Sequence, residues 1–195
     1  MAGERKVILE AAAREFADVG LNESSLDSIA SRAGLEPGVA QALFVDKPTL
    51  LRELLREATD PLVSGIALAV EEMDDSKEIV RKSLQLYDRW LLDHQDIVRI
   101  FIRCALDGPE SMQKLYQQSL LPSEFYGHLE RLINRDQLRC KDLFVLSVLL
   151  DSLIMFPHMI RSAVERMKPE HTAEEIMEIR FDAIIDLFEN GLYID

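Results

Sequence analysis

The sequence predicts an all-α protein, and three observations carry that reading. Apolar residues recur with a helical period almost throughout. No segment alternates with a period of two, as a half-buried strand would. Glycine and proline number only eight and seven in 195 residues, too few for a loop-rich β design.

The elements follow in order. Ile8, Ala11, Ala12, Phe16 and Val19 mark one face of a first helix that Gly20 ends. Ser24 and Ser25 are N-cap candidates for a short second helix carrying Leu26, Ile29, Ala30 and Ala33. Gly34 breaks the chain. Pro37 is placed to start a third helix ending near Leu43 or Phe44, because its missing N–H would be unpaired there anyway. Asp46 has N-cap chemistry for a long fourth helix with Leu50, Leu51, Leu54 and Leu55 facing inward, and Pro61 is expected to kink or break it. Helices are expected over 76–94 and 96–106, the second stopped by Asp-Gly-Pro at 107–109. Another covers 109–134 with an interruption near Pro122, and a long one covers 140–167 with Pro157 inside it. Thr172 and Glu175 then spell a capping box for a last helix that runs to Asn190 and Gly191.

Charge and composition narrow the function. Lys and Arg total 22 against 35 Asp and Glu, a net charge of −13, so bulk charge does not favour binding to phosphates. Cys104 and Cys140 give no disulfide framework and point to a reducing, cytoplasmic setting. Glu4, Arg5, Lys6 and Glu10 are unlike a secretory leader. The apolar stretch 143–160 is interrupted by Asp151 and followed by Arg161, a poor membrane span. No nucleophile elbow, phosphate loop or dinucleotide fingerprint is present, so neither an enzyme nor a cofactor is expected. Glu124 and His128 lie one turn apart. A surface pair explains them as well as a metal site does, and no metal is assigned.

The first fifty-odd residues carry the specific signal. Ala30 and Ala33 are small where two helices would cross, and Gly34 supplies positive φ in the turn between them. Leu35 can plug the angle, and Phe44 can close a small core against Phe16 and Ile29. This is a helix-turn-helix pattern. The residues Ile8-Leu9-Glu10-Ala11-Ala12, Phe16-Ala17-Asp18-Val19-Gly20, Ser25-Leu26, Ile29-Ala30, Ala33-Gly34-Leu35, Gly38, Phe44 and Lys47 together resemble the tetracycline-repressor (TetR) family of transcriptional regulators. The resemblance covers about residues 4–55 in motif and the remainder in helix count and length.

The resemblance implies a helix-turn-helix DNA-binding domain at 1–50 and a helical ligand-binding and dimerisation domain at 51–195. It assigns Ser24, Ser25 and Lys47 to phosphate contacts. Gln41 has the chemistry to meet an adenine edge, and Val39 or Ala42 a thymine methyl, beside Gly38. Arg32 is the only basic residue between Ser24 and Asp46. The sequence departs from the family at the reading surface. Pro37 replaces the usual Lys, Gln41 the usual Tyr, and Asp27 a common basic residue, while Glu36 adds a further negative charge. Residues 1–55 hold six basic against nine acidic side chains, so low DNA affinity with a shallow salt dependence is expected.

Two further sites are expected in the later helices. Aromatic and sulfur side chains on separate helices suggest an apolar ligand pocket: Tyr87, Trp90, Phe101, Cys104 and Met112, with Tyr116, Phe125, Met155 and Phe156. In 143–160, thirteen of eighteen residues are Leu, Ile, Val, Phe or Met on all sides of the helix. A helix apolar all round needs cover on both faces. A homodimer through the last two long helices supplies it, with Leu149, Leu150, Leu153, Ile176, Ile184 and Phe188 as interface candidates. The expected function is a ligand-responsive DNA-binding regulator, a repressor, acting as a homodimer on operator DNA with a small hydrophobic ligand. The alternative is a TetR-like small-molecule or protein-binding module in which DNA binding is weak or lost.

Overall fold

The computed structural model describes residues 2–117, 130, 139–140, 142–167 and 170–191, and these are helical with short connections. The helices are α1 (Ala2–Asp18), α2 (Leu26–Arg32), α3 (Val39–Leu43), α4 (Lys47–Glu72), α5 (Ser76–Asp93), α6 (Gln95–Asp107), α7 (Pro109–Gln117), α8 (Leu143–Met159), α9 (Arg161–Met167) and α10 (Ala173–Gly191). The chain divides into two compact units. One comprises Met1–Pro61 with His94–Leu121, the other Leu62–Asp93 with Pro122–Asp195. The unit around the helix-turn-helix is therefore not a contiguous stretch, because α1 packs on α6 as well as on α2 and α3.

In the first unit Ile8, Phe16, Ile29, Phe44, Leu50 and Ile100 are fully buried. Ser25 caps α2 reciprocally with Ser28: each backbone N–H donates to the other's hydroxyl at 3.0 Å. The helix ends in a full Schellman motif. Gly34 has φ +70°, its N–H donates to the Ser31 carbonyl, and the Leu35 N–H reaches back to Ala30 at 3.0 Å.

Two boundaries differ from the sequence expectation. The third helix starts at Val39 rather than Pro37, because Gly38 takes φ +93° and forms the N-cap. Pro61 does not break α4. The carbonyl of Glu57 loses its partner, but Glu57 lies on the exposed side, and Leu62, Val63 and Ile66 continue the buried stripe. Asp46 caps α4 as expected, accepting from Thr49 N–H at 2.7 Å, a bond that with the Thr49 hydroxyl lowers its carboxyl pKa.

In the second unit α5 packs on α8, and α8 on α9 and α10, around Ile79, Leu84, Leu91, Leu146, Ile154, Met177 and Ile184. The single helix expected over 140–167 is two helices meeting at Ile160. Pro157 has no N–H for the Leu153 carbonyl. The Arg180 guanidinium lies 3.5 Å from that oxygen and 3.1 Å from the Ile154 oxygen, so the ladder is patched from α10. The Thr172–Glu175 capping box is formed, each backbone N–H donating to the other's side chain.

Candidate nucleic-acid interface

The helix-turn-helix turns one face of α3 to solvent. Ala40 and Phe44 are buried, Val39 is half-buried, and Gly38, Gln41 and Ala42 are exposed. Val45 follows at 90 % exposure, an exposed apolar side chain that the sequence reading missed because it lies beyond the helix. Gln41 is not free-standing: its Nε2 donates to Oδ1 of Asp27 on α2 at 2.6 Å.

Three of the candidate DNA-contact residues, Ser24, Arg32 and Lys47, bond within the protein in this structure. Ser24 is buried, with its hydroxyl donating to the Leu21 carbonyl at 3.3 Å. Arg32 lies against two carboxylates of α1, Glu15 at 2.6 Å and Asp18 at 2.7 Å. The Asp18 bond above all raises the Arg32 pKa further. Asp18 is held in turn by Arg99 of α6, and the two cations lower its pKa, Arg99 the more strongly. Lys47 directs its ammonium at the carbonyls of Leu21, Asn22 (3.3 Å) and Ser24 (2.7 Å), which uses all three of its donors. Burial and the nearby Lys114 lower its pKa. Lys47 therefore pins the connection between α1 and α2. Ser25 stays exposed at the helix start. Arg5 is also committed, paired with Glu53 and lying over the Phe44 ring at 4.7 Å.

Comparison with known proteins bears on this unit directly. Residues 8–54 match the family profile of bacterial regulatory proteins of the tetR family. The chain is 31 % identical over 83 residues to the HTH-type transcriptional activator FasR of Mycolicibacterium smegmatis, 43 % of this chain and 38 % of that protein. It is 24 % identical over 135 residues to the HTH-type regulator YuxN of Bacillus subtilis, 69 % of this chain and 46 % of that one. These alignments span less than half the length of those relatives. The fold aligns with PfmR, a TetR-family regulator from Thermus thermophilus, at TM-score 0.64 and 21 % identity, covering 96 % of both chains. It aligns with FadR from Bacillus subtilis, solved in complex with stearoyl-CoA, at TM-score 0.70 and 15 % identity, covering 95 % of this chain and 98 % of that one. The tetR-family match is thus to the helix-turn-helix segment, and the fold over nearly the whole chain is that of solved TetR-family regulators. The matched profile and both of these relatives are described as regulators.

The remaining candidates fall in both units. Phe101, Cys104 and Met112 belong to the first, Tyr87, Trp90, Met155 and Phe156 to the second. The Tyr116 side chain and Phe125 lie outside the described residues. Tyr87 and Trp90 stack with ring centroids 6.2 Å apart, and Met155 is buried. Cys104 is a core residue whose thiol burial pushes up to about 11, which removes the nucleophilic thiolate at neutral pH. Phe156 is 54 % exposed on the outer side of α8. The second unit has a different cleft, about 380 Å³, between Gln85, Asp88 and Leu92 of α5 and Met177, Phe181 and Asp182 of α10. None of the sequence-derived pocket residues lines it.

The outer side of α8 is apolar and exposed, whereas that of α10 sets apolar side chains among the exposed Glu178, Asp182 and Asp186. Val145, Val148, Leu149 and Phe156 form one stripe, Ile179 and Leu187 another. Of the interface candidates, Leu149 lies on the α8 face, Leu153 and Ile176 are half-buried, and the side chains of Leu150 and Phe188 lie outside the described residues. Ile184 is buried inside its own unit, because the face of α10 carrying Met177 and Ile184 packs inward. Among the described residues no helix is long and apolar enough to cross a membrane. Nor does any group of three or more His, Cys, Asp or Glu there suit a metal, and Glu124 and His128 lie outside those residues.

Proposed function

We propose that this chain is a dimeric, ligand-responsive transcriptional regulator that binds operator DNA as a repressor. In this reading residues 1–50 contact DNA and 51–195 serve dimerisation and ligand binding. The observation that carries it is a fully formed helix-turn-helix, capped at α2, with Phe44 buried and Gln41 and Ala42 exposed on α3. Duplex contact then rests on base edges, Ser25 and backbone N–H groups more than on cations, since Arg5, Arg32 and Lys47 are engaged within the domain.

The salt dependence of duplex binding tests this. Log affinity falls with log salt by about 0.9 per phosphate neutralised, so one cation per protomer gives a dimer a slope of about −2. A slope no steeper than that is expected. Lys47→Ala should leave the slope unchanged while lowering the unfolding midpoint, because it removes charge-assisted bonds worth about 1.5–3 kcal/mol. A steeper slope that Lys47→Ala flattens would return Lys47 to the phosphates. Absence of any duplex binding at low salt would favour the second reading, a helical binding module, which the internal pairing of these cations supports.

The ligand assigned to the second unit is small and hydrophobic, near the stacked Tyr87 and Trp90. The neighbouring FadR fold, solved with stearoyl-CoA, suggests a first probe. Trp90 is the only tryptophan. Its fluorescence should change saturably with stearoyl-CoA or stearate, and an unchanged spectrum with both would count against this assignment.

A further inference from the structure

We propose that Asp27 is a positioning residue that holds the Gln41 amide in the one orientation that reads adenine and rejects guanine. The inference rests on the DNA-binding reading above and specifies it at one base pair in each half-site.

Gln41 is exposed on α3 and Asp27 is exposed on α2, fourteen residues earlier, yet Gln41 Nε2 lies 2.6 Å from Asp27 Oδ1. A carboxylate only accepts hydrogen bonds. The amide nitrogen must therefore face Asp27, and the flipped amide, which would set oxygen against oxygen, is excluded. One N–H of Gln41 is spent on Asp27. What remains is one N–H donor and the carbonyl oxygen as acceptor.

That pair matches one base in the major groove. Adenine offers the N7 acceptor and the N6 amino donor, and Gln or Asn meets both at once. Guanine offers two acceptors, N7 and O6, and binding both requires two donors. A Gln with both amide hydrogens available could supply them, whereas Gln41 with one hydrogen held by Asp27 cannot. Its oxygen would instead face guanine O6. An acidic residue beside the phosphates also repels the duplex. The same carboxylate thus lowers affinity for every sequence and raises discrimination at one position. These two effects have opposite signs, so a merely structural or merely electrostatic Asp27 cannot mimic them.

The test is selection from a duplex library randomised across both half-sites, using the full-length chain as wild type, Gln41→Ala, Asp27→Ala and Asp27→Asn. Both positions are solvent-exposed, and circular dichroism checks that each variant keeps its helices. For the wild type we expect adenine over guanine by about tenfold at one symmetric pair of positions. Gln41→Ala should bring that ratio close to one and leave the other positions unchanged. Asp27→Ala should also bring it close to one while raising affinity for random duplex. Asp27→Asn should behave likewise, since an Asn can face either end of the Gln amide. Retention of the adenine preference in Asp27→Ala or Asp27→Asn overturns the positioning role, and its retention in Gln41→Ala overturns the assignment to Gln41. If the wild type enriches no duplex, the DNA-binding reading itself fails and this inference fails with it.

Discussion

Leu149→Glu is expected to convert the protein from dimer to monomer at micromolar concentration while leaving its helical content intact. The argument begins with exposure. Leu149 is 44 % exposed, Ile179 61 % and Leu187 57 %, beside Val145, Val148 and Phe156. The apolar stripe of Val145, Val148, Leu149 and Phe156 on α8 marks an interaction surface, which Ile179 and Leu187 extend onto α10. In the proposed homodimer, two-fold pairing covers it with the same patch of a second copy, so one substitution places two carboxylates in the interface. Each buried unpaired charge costs several kcal/mol. Even about 4 kcal/mol in total raises the dissociation constant by roughly a thousandfold. Sedimentation velocity reads this directly, and Leu187→Glu should act alike from the second helix. Ile184→Glu should behave differently, because Ile184 is buried within its own unit. It should unfold that unit, seen as lost ellipticity, and not release folded monomers. A wild type that sediments as a monomer at micromolar concentration would remove the interface altogether.

What was legible in the sequence was whatever depends on neighbours along the chain. The Gly34-Leu35 turn, the Asp46 cap and the Thr172–Glu175 box are local hydrogen-bond chemistry, and the structure forms each of them. Hydrophobic periodicity located the helices for the same reason. The side-chain partners were not legible. Arg32 meets Glu15 from seventeen residues away, and Lys47 reaches carbonyls twenty-three to twenty-six residues earlier. A count of basic residues near the recognition helix cannot show that they are already engaged. Prolines misled in both directions. Pro61 is carried by a buried stripe that continues past it, while Pro37 yields the helix start to a glycine at positive φ. In α8 the composition showed an apolar excess on every side. Which side turns inward depends on the neighbouring helices, and so Leu149 is exposed on α8 while Ile184 is buried on α10.

Asp88→Ala is expected to cost the second unit about 3–5 kcal/mol of unfolding free energy at neutral pH. Asp88 lies on α5, and its Oδ1 accepts from His158 Nε2–H of α8 at 2.8 Å and from the Arg180 guanidinium of α10. One carboxylate thus ties three helices. The His158 side chain is wholly buried, and Asp88 and Arg180 are nearly so. Removing Asp88 leaves the guanidinium without its counter-charge and His158 Nε2–H without an acceptor. Burial raises the Asp88 pKa, but the bonds from His158 and Arg180 outweigh it, so the folded value is depressed below the ordinary 3.8. The sign of the linkage follows. The stabilisation is present above pH ~4, where Asp is ionised in both states, and is lost as pH falls through the depressed folded value. Chemical denaturation of wild type and Asp88→Ala should therefore show a large gap at pH 7 that narrows progressively below pH ~4. If the cost comes from the stranded charge, Asp88→Leu combined with His158→Leu and Arg180→Met should recover much of it, because a packed apolar trio replaces a buried ionic one at little loss. A gap under about 1 kcal/mol at pH 7, or one that does not change on acidification, would show that the carboxylate is not what holds these helices together.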